Sequence, residues 1–152
     1  SGLLKGSLYG AFGDKRALYL AALSHYDRTR IQAGIDMLNP EGSARQKIAR
    51  LFDNVIESTK RGEFAGGCLL CNASLEMAVS DKQVKSEIKT TIRRLKLAIM
   101  DALKAQTGNE EQAASLAAFI ISAYFGTRVL AKAGAPAAMM GETRDHCLQL
   151  LS

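Results

Sequence analysis

The 152-residue sequence is 47% hydrophobic and 23% charged, a globular balance that excludes a disordered chain, and its length suits one ordinary domain or one domain with part of a second. No run approaches the ~20 apolar residues that span a bilayer, and residues 1–10 lack the charged start, apolar middle and small-residue cleavage site of an export signal. The net charge of +5 is unevenly placed: in residues 1–30, Lys5, Lys15, Arg16, Arg28 and Arg30 face only Asp14 and Asp27, a basic end that suits a polyanion.

No stretch alternates with the period of a strand, and turn signals are widely spaced, so the fold class expected is all-α. A short first helix over residues 4–12 stops at Gly13. Asp14 then caps a longer helix to about Gly34, with Leu18, Ala22, Leu23 and Tyr26 on its apolar side. After the breaker Asn39-Pro40-Glu41-Gly42, Ser43 caps a helix whose Ile48, Leu51, Phe52, Val55 and Ile56 share one face. Gly66-Gly67 opens a shorter helix from Cys68 to about Val79. Asp81 caps the next, to about Gln106, in which Val84, Ile88, Ile92, Leu95, Ile99 and Leu103 form a stripe. Its Lys82, Lys85, Lys89, Arg93 and Lys96 read as a solvated face.

Asn109 caps a helix to about Ala133 that is apolar nearly all round, and Gly134-Ala135-Pro136 leads into the last helix, with Met140, Cys147, Leu148 and Leu151. A helix with apolar residues on several faces needs cover on more than one side, which a second copy of the chain would supply. Phe119, Ile120, Ala123, Tyr124, Thr127, Arg128 and Leu148 are the residues assigned to that homodimer interface.

The N-terminal run Gly2-Leu3-Leu4-Lys5-Gly6-Ser7-Leu8-Tyr9-Gly10-Ala11-Phe12-Gly13-Asp14-Lys15 resembles the second half of the helix-turn-helix domain of the TetR family of transcriptional regulators. The likeness implies a domain boundary: residues 1–32 as the C-terminal part of a DNA-binding domain, and residues 43–152 as a ligand-binding and dimerisation domain. It also implies that two further helices precede this segment in the whole protein and are needed for DNA binding. Lys5, Gly6, Ser7, Tyr9 and Lys15 are the residues carried over as contacts to double-stranded operator DNA. Physically, a short helix enters the major groove by its N-terminal residues, and a lysine at a helix start favours a phosphate. Leu4, Gly10 and Ala11 depart from the family's usual residues, so no operator sequence is implied.

The remaining length resembles the family's regulatory domain, with Gly67-Cys68-Leu69-Leu70-Cys71-Asn72 its clearest segment. By that likeness the function is a repressor released from its operator by a small-molecule effector, in the cytoplasm, with no cofactor and no membrane partner. Phe52, Cys71, Asn72 and Tyr124 are the candidate ligand-binding residues. Two other readings stay open: a repressor that senses oxidants or electrophiles through Cys68, and a dimeric ligand-binding protein without a DNA role.

The Cys68-Leu69-Leu70-Cys71 spacing suggests a metal only if about two more ligands join it, and Cys147, His25 and His146 are scattered. An odd number of cysteines suits free thiols in a reducing compartment. No nucleophile elbow or phosphate-cradling glycine loop is present, so no enzyme is expected.

Overall fold

The computed structural model describes Ser7, Gly10, residues 14–63 and residues 68–151, and among these it is helical throughout with no strand. Helix α1 (Lys15–Tyr26) continues through a wider π-helical turn (Asp27–Ile31) into α2 (Gln32–Asp36). There follow α3 (Ala44–Lys60), α4 (Leu69–Glu76), α5 (Lys82–Thr107), α6 (Glu110–Lys132) and α7 (Ala137–Gln149).

The starts of these helices are where side-chain chemistry puts them. Asp14 accepts from the Ala17 amide at 2.6 Å, and Ser43 and Gln46 satisfy each other's backbone amides in a capping box. Asp81 accepts from the Gln83 and Val84 amides, and Asn109 from those of Glu111 and Gln112. Each such cap stabilises its helix by about 1 kcal/mol. The long α5 stops at Gly108, whose φ of 59° is a left-handed terminus that a side chain would strain.

The core is a bundle in which α5 packs along α6, and α3 along α7. Ile48, Leu51, Phe52 and Val55 of α3, Val84, Leu95, Ile99 and Leu103 of α5 and Ala113, Ala117 and Ile120 of α6 all belong to this core, essentially without solvent contact. The buried row of α5 runs Val84, Ile88, Thr91, Leu95 and Ile99, whereas Ile92 is 36% exposed. A four-residue step slightly overshoots a turn, so two in succession carry position 92 off the seam and bring position 91 into it. Helix α4 also ends earlier than the spacing predicts. The amides of both Met77 and Ala78 bond the Ala73 carbonyl and close the helix, so Val79 lies beyond it in solvent, as does Leu75 on its outer face.

By length and composition α6 is apolar enough to cross a bilayer, with a mean hydropathy of 1.5, which corrects the expectation that no segment has that character. Its packing accounts for the composition: one side is core, the other lies open. Ser115, Ala118, Phe119, Ser122, Gly126 and Val129 form an exposed, uncharged strip along α6.

Polar ties to α5 hold both α1 and the turn that follows it to the bundle. Arg16 at the start of α1 donates to Asp81 at 2.6 Å and to Gln83 at 2.9 Å, reaching the N-terminus of α5. Asp81 is thereby held below the usual carboxylate range, chiefly by Arg16 and then by the Val84 amide. At the other end Arg94 of α5 pairs with Asp27 and donates to Gln32 at 2.5 Å, clasping the π-helical turn from both sides.

Candidate functional site

The π-helical turn is where the chain gains room for a site. In a π-turn one residue is added to the hydrogen-bonded ring, so the Gln32 amide reaches the Asp27 carbonyl and the side chains on that face are re-aimed. Tyr26 and Arg30 thereby come to line a cavity of about 470 Å³, together with Gly34 of α2, Asn54 and Ser58 of α3, Asn72 of α4, and Tyr124 and Arg128 of α6. At Gly34 the nearest atoms to an added Cβ would be Leu51 Cδ1 at 3.6 Å and Tyr124 Oη at 3.8 Å, so the backbone passes close to the tyrosine.

Arg128 organises this cavity. It lies on the inner side of α6 and is only 7% exposed. Its Nη2 donates to Tyr26 Oη at 2.5 Å and its Nη1 to Tyr124 Oη at 2.9 Å, while its guanidinium carbon stands 5.4 Å from the Tyr124 ring centre. Tyr26 Oη in turn donates to Cys68 Sγ at 3.3 Å. One buried cation therefore joins α1, α4 and α6 through a chain of directed bonds. Burial pushes the hydroxyls of Tyr26 and Tyr124 upward, so both stay neutral donors and acceptors.

Cys68 and Cys71 lie behind this chain. The Cys68 thiol is drawn well below the usual thiol range, first by hydrogen bonding from the Cys71 thiol, then by the charge of Arg128 and the Tyr26 hydroxyl, against the opposing effect of burial. Cys71 is pushed up, first by that same bond to Cys68 and then by burial. A second depression, of about 390 Å³, opens beside them and is lined by Cys68, Cys71, Leu75, Val129 and Lys132. Lys132 Nζ donates to Asn72 Oδ1 at 2.8 Å.

Of the residues assigned from sequence, Asn72 and Tyr124 line the larger cavity and Cys71 the smaller. Phe52 is corrected: it is fully enclosed in the core, its ring edge-on to Tyr124 with centroids 5.9 Å apart, and it supports the tyrosine rather than facing a ligand. Among the interface residues, Phe119 is 52% exposed and Ala123 partly so. Ile120, Tyr124, Thr127, Arg128 and Leu148 are buried within a single chain and are corrected to core or cavity positions. Their faces of α6 and α7 are already covered by the chain's own helices.

Lys15 is the exposed first residue of α1, and Ser7 is helical and exposed. Lys5, Gly6 and Tyr9 lie outside the described residues, as do Gly66 and Gly67. Sequence reasoning missed Tyr26, Arg30, Asn54 and the hub role of Arg128. A charged side chain four residues from Tyr124, at the end of the apolar stretch 113–127, was the available signal, because a buried arginine must bring its partners with it.

Residues 44–146 match the profile of the TetR-type domain described as transcriptional regulator LmrA/YxaF-like, C-terminal domain, which is more than half of the chain. The chain is 24% identical over 151 residues to the uncharacterized HTH-type transcriptional regulator YezE of Bacillus subtilis (strain 168), spanning 95% of this chain and 76% of that protein. Two solved structures of the TetR family transcriptional regulator CifR, both cysteine mutants complexed with a 26-base-pair double-strand operator DNA, share the fold with TM-scores of 0.82. They are 24% and 23% identical, and the match covers 99% of this chain and 81% of theirs.

Proposed function

This chain belongs to the TetR-type transcriptional regulators with an LmrA/YxaF-like C-terminal domain, and from that premise we propose that it is a homodimeric repressor released from operator DNA by a small molecule. The observation that carries the reading is that α1, the helix leaving the segment that resembles a recognition helix, runs directly into the π-helical turn that supplies Tyr26 and Arg30 to the cavity. A molecule held there touches the same helix that carries Lys15. If it favours one setting of α1, it shifts the spacing of the DNA-binding ends by as much as its preference between the two settings.

In this reading Lys5, Gly6, Ser7, Tyr9 and Lys15 contact DNA, and Asn72 and Tyr124 contact the effector, together with Tyr26, Arg30 and Asn54. The effector is small enough for about 470 Å³ and carries hydrogen-bonding groups for the asparagines and Arg30. The second copy of the chain packs on the exposed strip of α6, where Phe119 and Val129 are 52% and 45% exposed, with Met139 of α7 and Leu150 just beyond its end as further apolar surface.

The test is to select bound fragments of genomic DNA with the whole protein, then screen metabolites for release by fluorescence anisotropy. The expected result is a specific fragment, and an effector whose release activity is lost in Asn54→Ala while DNA affinity is kept. Failure to enrich any fragment would contradict the DNA role, and an effector that works equally well on Asn54→Ala would contradict the cavity.

A further inference from the structure

The effector reading uses the larger cavity and leaves the two thiols behind it without a task. We propose that Cys68 and Cys71 are a dithiol pair that hydroperoxides oxidise to an intrachain disulfide, and that Tyr26 passes the change to α1. The thiol chemistry stands independently of DNA, while its regulatory meaning rests on the operator reading above.

Three independent features of the geometry support it. Cys68 is the N-cap of α4 and Cys71 lies one turn on, so the pair occupies the first turn of a helix, where residues three apart are neighbours and the backbone amides favour a negative sulfur. Cys68 also has partners that suit an anion better than a neutral thiol: Tyr26 Oη aims its hydrogen at the sulfur from 3.3 Å, and Arg128, bonded to Tyr26 at 2.5 Å, sets positive charge beside it. Finally, Cys68 is itself 1% exposed, and the depression of about 390 Å³ lined by both cysteines gives a peroxide a place against the pair. Cys147, buried in α7, has no comparable partners, and burial raises its thiol.

The chemistry closes with one oxidant. The Cys68 thiolate attacks an oxygen of the hydroperoxide and the O–O bond breaks. The departing alkoxide takes a proton from solvent and leaves as an alcohol, so the peroxide is reduced and Cys68 becomes a sulfenic acid. Cys71 then attacks that sulfur; the S–O bond breaks, the S–S bond forms, and the hydroxyl leaves as water with the Cys71 proton. Cys68 loses its charge, and Tyr26 loses an anionic acceptor. The bond by which α1 is held to α4 is thereby weakened at the residue adjoining the π-helical turn.

The experiment treats the whole protein with tert-butyl hydroperoxide, denatures it in N-ethylmaleimide and weighs it. Labelled thiols should fall from three to one, with Cys147 the residue still labelled, and dithiothreitol should restore three. Three labels after peroxide, or loss of Cys147 with Cys68 retained, would overturn the proposal. In Cys71→Ser the disulfide should be absent and dimedone should trap a sulfenic acid on Cys68; no adduct there would equally overturn it. Tyr26→Phe should move the midpoint of the pH profile of Cys68 oxidation upward by about one pH unit; an unchanged midpoint would remove Tyr26 from the account. Operator affinity measured without peroxide tests the DNA reading alone. If that holds and the disulfide forms, wild type should release DNA on oxidation while Cys71→Ser stays bound, and release that is equal in the two would overturn the regulatory role.

Discussion

The hydroxyl of Tyr26 accepts a hydrogen bond from Arg128 Nη2 at 2.5 Å, and this contact ties the end of α1 to the C-terminal part of α6, 102 residues later in the chain. It is a relationship between the element that follows the segment resembling a recognition helix and an element that carries both core and exposed faces. Removing the cation leaves the Tyr26 and Tyr124 hydroxyls without their donor and the Cys68 sulfur without the positive charge beside it. Arg128→Leu should therefore lower stability by about 3 kcal/mol, the scale of a broken buried charge pair. Urea denaturation followed by circular dichroism measures this, and a loss below about 1 kcal/mol would show that the hub is structurally dispensable.

The depressed Cys68 thiol makes a pH prediction with a definite sign. A free thiol near 8.5 loses about tenfold in alkylation rate for each pH unit below that value. Cys68, held well below that range by Cys71, Arg128 and Tyr26, should keep its rate from pH 8 to pH 6, whereas Cys147, raised by burial, should react only after unfolding. The same shift contributes stability that is fully present above the unfolded thiol value and is lost as pH falls through the lower folded one. Iodoacetamide rates at each residue, read by peptide mass, check the prediction.

Much of this architecture was legible in the sequence because its signals are local. Asp14, Ser43, Asp81 and Asn109 each announce a helix start, and each caps one. The site was less legible for a physical reason. Tyr26 and Arg128 acquire their meaning from a contact across three helices, which no spacing along the chain encodes, and the π-helical turn has no side-chain signature in Asp27-Arg28-Thr29-Arg30-Ile31. The apolar character of α6 pointed to two apolar faces, of which the chain's own core covers one and leaves the other open. Periodicity alone did not tell which face meets the chain's own core, so Ile120 and Phe119, adjacent in sequence, were assigned together although one is buried and the other open.

Arg94 clasps the π-helical turn through Asp27 and Gln32, with Arg94 37% and Asp27 22% exposed. A half-exposed pair of this kind contributes on the order of 1 kcal/mol or less to global stability. Its effect should be local. In Arg94→Ala the amides of residues 27–32 should exchange with deuterium several-fold faster while those of α3 are unchanged, and uniform exchange across both regions would contradict a specific clasp.

The open strip of α6 leads to an oligomer prediction. Phe119→Glu places a charge on an otherwise uncharged exposed face without touching the core. It should leave the circular dichroism spectrum intact and raise the dimer dissociation constant at least ~30-fold, the effect of losing a ~2 kcal/mol anchor. Sedimentation equilibrium measures it; an unchanged dimer would move the interface elsewhere.

The central claim, that the whole protein regulates through operator DNA held by the segment entering α1, is tested most directly by the salt dependence of binding to a selected DNA fragment, compared between wild type and Lys15→Ala. The account predicts a logarithmic affinity that falls steeply with the logarithm of salt concentration, and a slope about one unit shallower in Lys15→Ala, one phosphate contact having been removed. Binding insensitive to salt, or a slope identical in the two proteins, would contradict it.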